Sequence, residues 1–371
     1  MQFQTPGLQD IVDDFVSSFL KDKRHEWEST KTQHMELFQE ASKFGLLGLE
    51  TDPAHGGLGA PFSDKVKLAE LMAQTSFAAA FSIINSQNVA ARLRESTAQR
   101  HHQMADEIMA GDRVGCTALT EPTAGSDFAA IQTSAKKIDG VWEISGNKAW
   151  ITNATNAETI ILYAQTDPTK GWKGIASFLI DGRKAGFERG ESYSLIGGHI
   201  IGAGEFSLSS YVASEEDMLA PPGEAFKVAM TSINGARTYV AAMCVGMMKN
   251  ALELATAYGK ERNAFGKPLL THQGMGWSLS DIYTNIAALE GLVEKSAALI
   301  DGKQDAVLAA ALAKKMAGDI TIPAISACIQ AMGANGLRSE HFLGEHLACA
   351  KIAAYTDGST EMMKERISAY L

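Results

Sequence analysis

SAKKIDGVWEISG, residues 134–146, is where the chain changes texture. Two short runs that alternate apolar and polar residues flank the pair Asp139-Gly140. Alternation with period two describes a half-buried strand, and Asp-Gly supplies the positive φ that a two-residue hairpin turn demands. The stretch predicts a β-hairpin. Further along, TIILYAQT, IASFLI and EFSLSS are strand-like runs separated by Gly, Asp, Pro and Ser, so a compact β domain is expected over residues 116–212.

Outward from that domain the period becomes helical. Leu8, Ile11, Val12, Phe15 and Phe19 recur at helical spacing, MELFQEASKFGLLGL continues the pattern, and residues 1–115 read as an N-terminal helical domain. DPAHGGLGAP, from Asp52 to Pro61, interrupts it and predicts a surface loop. After Pro221-Pro222 a helical pattern runs unbroken to about Arg262, and three more helical stretches centre near residues 285, 315 and 345. Residues 213–371 are therefore expected to form an antiparallel helical bundle. The fold class is mainly α with a central β domain, a barrel or sandwich, set between helical parts.

Composition bounds what such a chain does. With 371 residues, 46% of them hydrophobic and 20% charged, it carries enough apolar material for a large core. The net charge is −10 and no Lys or Arg cluster stands out, which argues against a nucleic acid or an anionic membrane as partner. Cys116, Cys244, Cys328 and Cys349 lie far apart in apolar surroundings, so neither a disulfide framework nor a metal site is expected, and a reducing cytoplasm fits. The N-terminus lacks a basic region followed by an apolar stretch, and no run of about 18 uncharged apolar residues occurs. GGHIIGAG, Gly197 to Gly204, does not open a helix after a strand as a nucleotide loop would. EHFLGEH sets His341 and His346 five residues apart, too far round a helix to share a metal, and reads as a solvated helix face.

Three segments are richer in special residues than packing requires. CTALTEPTAGSD, Cys116 to Asp127, surrounds Gly125 with hydroxyls and small residues, a turn able to aim donors at an anion or ring oxygen. In GNKAWITNATNA, Gly146 to Ala157, Trp150 can cover a flat ring with Thr152 beside it. AYTDGSTEMM, Ala354 to Met363, follows IQAMGANGL at Ile329 to Leu337; taken alone, its Asp357-Gly358 reads as a turn.

Read in order, these segments resemble the acyl-CoA dehydrogenase family of flavoproteins along essentially the whole chain. LTEPTAGSD is similar to the family's LTEPxAGSD, GNKAWITNA to GxKxWITNA, ERNAFGKPLLTHQ to ERxxFGxPLxxxQ, and QAMGANG with AKIAAYTDGSTE to QxxGGxG and AKIxxIYEGTxE. The resemblance implies an N-terminal helical domain, a β domain, a C-terminal four-helix bundle and FAD. It places Leu119, Thr120, Gly125 and Ser126 against the flavin and its ribityl-phosphate chain, with Trp150, Ile151 and Thr152 flanking the ring. Arg262, Phe265, Gln273, Gln330 and Gly333 match positions that reach FAD held mainly by a neighbouring subunit, which implies a homodimer or a homotetramer. Ser359 and Glu361 match two further FAD contacts. Ser126, Arg237 and Gly358 match substrate contacts, with Arg237 toward CoA.

The implied reaction is α,β-dehydrogenation of an acyl thioester, with Asp357 removing the α-proton and electron-transfer flavoprotein as electron acceptor. Most relatives carry Glu at that position; Asp withdraws the carboxylate by roughly 1.5 Å. The family's other location for the base is Ala236 here, so no spare base exists. EHLACAKI, Glu345 to Ile352, also lacks both arginines and the aspartate of the usual RxxRDAKI. These departures leave open an acyl or aminoacyl group tethered to a carrier protein, an oxidase, and a scaffold that has lost the reaction.

Overall fold

The computed structural model describes residues 1–371. Its hairpin closes as the turn chemistry demands, with φ +49° at Asp139, +85° at Gly140, and Ile138 paired with Val141. The arms are β2 (Ser134–Ile138) and β3 (Val141–Ile151). With β1 (Val114–Ala118), β4 (Ala157–Gln165), β5 (Ile175–Asp181), β6 (Phe187–Ser192), β7 (Gly204–Ala213) and β8 (Met218–Ala220) they form one sheet. Its order is β6-β7-β3-β2-β4-β5-β8, with β1 parallel to β4. β4 lies between β1 and β5 and is buried along almost its whole length, which is why TIILYAQ reads as a continuous apolar run.

The N-terminal part contains α1 (Leu8–Phe15), α2 (Lys21–Thr30), α3 (Glu36–Lys43), α4 (Phe62–Thr75), α5 (Phe77–Arg94) and α6 (Gln99–Met109). Ser76 starts α5, its Oγ accepting the N–H of Ala79 at 3.2 Å. The Asp52–Pro61 stretch is a loop whose exposed end, Asp52 to Gly56, contains a short 3₁₀ turn. A side chain at Gly57 would lie 2.0 Å from the carbonyl oxygen of Thr51, so only glycine lets this loop fold back.

The C-terminal part opens with the 37-residue α7 (Ala225–Glu261), followed by the two-residue strands β9 (Asn263–Ala264) and β10 (Lys267–Pro268). Next come α8 (Gln273–Asp301), α9 (Val307–Met332), α10 (Leu343–Tyr355) and α11 (Thr360–Ser368). α8 runs back along α7, as Thr238–Ser296 at 2.7 Å and Lys249–Glu290 at 2.5 Å show. α9 is long and apolar enough to cross a membrane by length and composition, yet it packs against α7, α8, α10 and α11 and carries Lys314, Lys315 and Asp319.

One apolar core joins Leu8 and Phe15 of α1 through α4 and α5 to α7, α8 and α9, so the two helical parts are not separate packing units. The sheet has its own core, and a third cluster clamps α5 and α6 onto β4, β5 and the start of α7. All four cysteines are buried and unpaired.

The expected solvated face at EHFLGEH is a correction. Phe342, at φ +56°, breaks the stretch, leaving His341 in a 3₁₀ turn and His346 in α10. His346 is 1% exposed, bonds the Asn250 side-chain oxygen through Nε2 at 3.1 Å, and is pushed down to about 4 by burial. α10 turns that face into the bundle.

Candidate active site

β1 delivers the chain into LTEPTAGSD, and a buried ion pair fixes the path of that loop. Glu121 meets Lys148 of β3 at 2.9 Å and accepts the N–H groups of Gln132 at 2.6 Å and Thr133 at 2.9 Å. Lys148 also donates to the carbonyl of Leu119 at 3.0 Å. Burial works to raise the Glu121 pKa, but Lys148 and these donors hold it below the usual carboxylate value. The carbonyl of Thr120 accepts the N–H of Ala149 at 3.1 Å, which ties the first segment to the second. Thr120 is half-buried, and Gly125 and Ser126 are exposed at the tip of the loop.

β3 loses register with β7 between Lys148 and Ile151, and Trp150 adopts φ +59°. The bulge turns the indole outward: Trp150 is 63% exposed and packs on Tyr193 with ring centres 4.5 Å apart. Ile151 is buried behind it, and Thr152 is half-buried beside it. Asn153 then pins the sheet to the N-terminal helices. It donates to the carbonyls of Ser82 and Gly115, each at 3.0 Å, and accepts from Gln33 at 2.7 Å.

Asp357 sits where α10 ends and α11 begins. φ is +56° at Asp357 and +99° at Gly358, and a Cβ on Gly358 would lie 2.9 Å from Met363. Two cations hold the turn from beneath. Nε of Arg237, on α7, donates to the carbonyl of Asp357 at 3.0 Å, and Nζ of Lys314, on α9, donates to the carbonyl of Gly358 at 3.3 Å. Oδ2 of Asp357 is buried without a hydrogen-bond partner, and no backbone carbonyl accepts the Asp357 N–H. Burial pushes the carboxyl up to about 6, while Lys314 and then Arg237 oppose the rise.

Arg237, expected toward CoA, is placed by the structure against the turn of Asp357. The side chain is 3% exposed; Nε donates to the Asp357 carbonyl and Nη1 to the Asn234 side-chain oxygen. It anchors the carboxylate's turn from inside the bundle. Ser359 is likewise engaged, capping α11 by accepting the Met362 N–H at 3.4 Å, while Glu361 is exposed.

Two groups of predicted residues therefore separate. Leu119, Thr120, Gly125, Ser126, Trp150, Ile151 and Thr152 cluster on the sheet domain. α10 packs on that domain, since a Cβ at Gly198 would touch Cys349 and Ile352, and Ile201 accepts the Asn153 N–H at 2.9 Å. Asp357 and Gly358 follow five and six residues beyond Ile352. Arg262, Phe265, Gln273, Gln330 and Gly333 are all exposed at the far end of the bundle. Along α7 the 25 residues from Arg237 to Arg262 span roughly 37 Å at ~1.5 Å per residue.

Three further participants lie outside the residues singled out in the sequence. Tyr193 leaves no signal, because its contact with Trp150 joins segments far apart in the chain. Asn153 lies inside GNKAWITNATNA, where nothing in the spacing distinguishes it from Asn156. Lys314 has a legible signal: it shares a helix face with Ala310, Ala317 and Thr321, all buried, whereas Lys315 turns outward to pair with Asp319 at 2.5 Å.

Comparison with known proteins identifies the family. The family models for the N-terminal, middle and C-terminal domains of acyl-CoA dehydrogenase match residues 6–112, 116–211 and 223–371. An acyl-CoA dehydrogenase of Bacillus subtilis (strain 168) is 28% identical over 366 residues, 98% of this chain and 97% of its own. The solved butyryl-CoA dehydrogenase of Megasphaera elsdenii superposes with a TM-score of 0.93 at 28% identity, covering 100% of this chain and 99% of that one. A prolyl acyl carrier protein oxidase shares the fold, with a TM-score of 0.90 at 21% identity over 98% of this chain and 97% of that one. With three domain models matched in order along nearly the whole sequence, the chain belongs to the acyl-CoA dehydrogenase family.

Proposed function

We propose that this chain is an FAD-dependent acyl-CoA dehydrogenase in which Asp357 takes the α-proton of an acyl thioester. Family membership makes it an oxidoreductase acting on CH–CH bonds. The observation that carries the choice of base is the buried, unpartnered Oδ2 of Asp357, beside a backbone N–H that no backbone carbonyl accepts. A carboxylate with a pKa near 6 is ionised at neutral pH yet basic enough to accept a proton usefully. The free N–H of the same residue is a donor for the thioester carbonyl, where negative charge grows as the proton leaves.

The residues on the sheet domain fit FAD. Trp150 offers an exposed flat face braced by Tyr193, and Thr120, Ser126 and Thr152 bring hydroxyls. A Cβ built at Gly125 meets nothing closer than Thr120 at 4.0 Å, so the backbone there is open to close approach. When bound, FAD supplies the acceptor for the β-hydride. The distant set, Arg262, Phe265, Gln273, Gln330 and Gly333, is read as facing a second subunit, which makes the working unit at least a homodimer.

The test is an anaerobic titration of the flavin-loaded protein with short- and long-chain acyl-CoAs and with a carrier-protein thioester. Acyl-CoA should bleach the flavin absorbance, and Asp357→Asn should slow bleaching by roughly 10²–10⁴-fold. The changed EHLACAKI segment favours one second reading, an acyl or aminoacyl carrier protein as substrate; bleaching by the carrier thioester alone would establish it. Undiminished bleaching in Asp357→Asn would remove Asp357 as the base.

A further inference from the structure

Lys314 has no part in the reaction as described so far. It lies on α9 among Ala310, Ala311, Ala313 and Ala317, is 1% exposed, and makes one hydrogen bond, to the carbonyl of Gly358. No carboxylate comes within ion-pair distance of it. Burying an ammonium without a paired anion is costly, so α9 holds the lysine at the expense of packing a further apolar side chain. Its one bond is to the turn that carries the base. Lys314 and Arg237 take the consecutive carbonyls of Gly358 and Asp357, fixing two residues at positive φ, and the Oδ2 of that Asp357 has no partner of its own.

We infer that Lys314 is a positioning residue for Asp357, holding the base's turn by its hydrogen bond to Gly358 and keeping the buried carboxylate ionised by its charge. This rests on Asp357 being the base. The charged and titratable groups around that carboxylate are Lys314 from α9, with Arg237 and Tyr239 from α7. One step further out, Arg366 of α11 acts on Arg237, and Cys244 of α7 lies near Lys314. Lys314 and Arg237 are the only ones among them that favour the ionised form, and Lys314 has the larger effect. A base must be ionised to accept a proton. Loss of Lys314 therefore moves the acid limb of activity to higher pH, and raising the pH recovers the loss.

The experiment compares Lys314→Met, Lys314→Gln and Lys314→Arg with wild type and Asp357→Asn, as flavin-loaded protein. One readout is independent of turnover: isotope-edited infrared difference spectra follow the protonated Asp357 carboxyl against pH, with Asp357→Asn as the blank. The other is the pH profile of kcat/KM. Lys314→Met is expected to move the carboxyl midpoint to a pH higher by about one, with kcat/KM down by roughly twofold at pH 7 and roughly tenfold at pH 5. Lys314→Arg should keep the midpoint near that of wild type. Lys314→Gln keeps a donor for Gly358 without the charge, so it should move the midpoint as Met does, and it carries the test alone if Met does not fold. An unmoved midpoint in Gln or Met overturns the inference, as does an Arg variant displaced as far as Met. Full activity in Asp357→Asn would defeat the base assignment instead, and the infrared midpoints would still judge Lys314's effect on the carboxyl.

Discussion

At the scale of single residues, the role proposed for Asp357 sets function against stability. Its carboxyl sits at about 6 in the fold, against 3.8 for an ordinary aspartate, because burial penalises the charge. The folded-state pKa is the higher of the two, so ionisation favours the unfolded chain. That penalty is fully present above about pH 6, shrinks as pH falls, and vanishes below the unfolded value. Raising a carboxyl from 3.8 to about 6 costs the fold about 3 kcal/mol at alkaline pH. Asp357→Asn should therefore raise Tm measurably at pH 8 while slowing turnover by roughly 10²–10⁴-fold, and the gain should fade as pH drops toward 4. Thermal melts of the two proteins across that interval check the sign. A neighbouring position is equally constrained: φ +99° at Gly358 is strained for any L side chain, so Gly358→Ala should displace the proposed base and cut kcat without lowering Tm by more than a few degrees.

Among the elements, the sheet's loop and strand are locked by one buried pair. Glu121 and Lys148 are 5% and 0% exposed, and together they hold Leu119, Gln132 and Thr133 in place. Removing one partner strands the other charge, which typically costs about 3–5 kcal/mol. Lys148→Met should lower stability by an amount in that range in denaturant unfolding and weaken flavin retention, because the loop carrying Thr120, Gly125 and Ser126 loses its anchor. The double variant Glu121→Gln with Lys148→Met should be less damaging than the two single losses added together. The same scale explains why Trp150 could be named but not placed. An aromatic residue in a strand is ordinarily buried on one face, and only the register slip of β3 against β7 turns this one outward.

Across the whole molecule, the site depends on how three parts are held together, and Asn153 is central to that. Its side chain joins the sheet domain to Gln33 and to Ser82 of α5, all in buried surroundings. Asn153→Ala leaves the carbonyl groups of Ser82 and Gly115 with fewer donors, at a cost of about 1–3 kcal/mol. Hydrogen exchange should show loosening on both sides of that junction, at α5 and at the turn around Ile201. Local damage confined to residues 150–156 would contradict a joining role.

Much of this protein was legible in its residues because local chemistry acted alone. Asp139-Gly140 determined a hairpin, period-3.6 patterning determined the helices on either side, and the ordered motifs determined the family and named Asp357 and Trp150. Facts that depend on burial were not readable in the same way. Whether His346 meets water or Asn250, and whether Arg237 reaches outward or anchors a turn, depend on which helix packs against which. Sequence spacing sets the face of a helix on which a residue lies. Only the tertiary structure decides what that face meets, and with it the dielectric and the neighbours that set a charge's pKa.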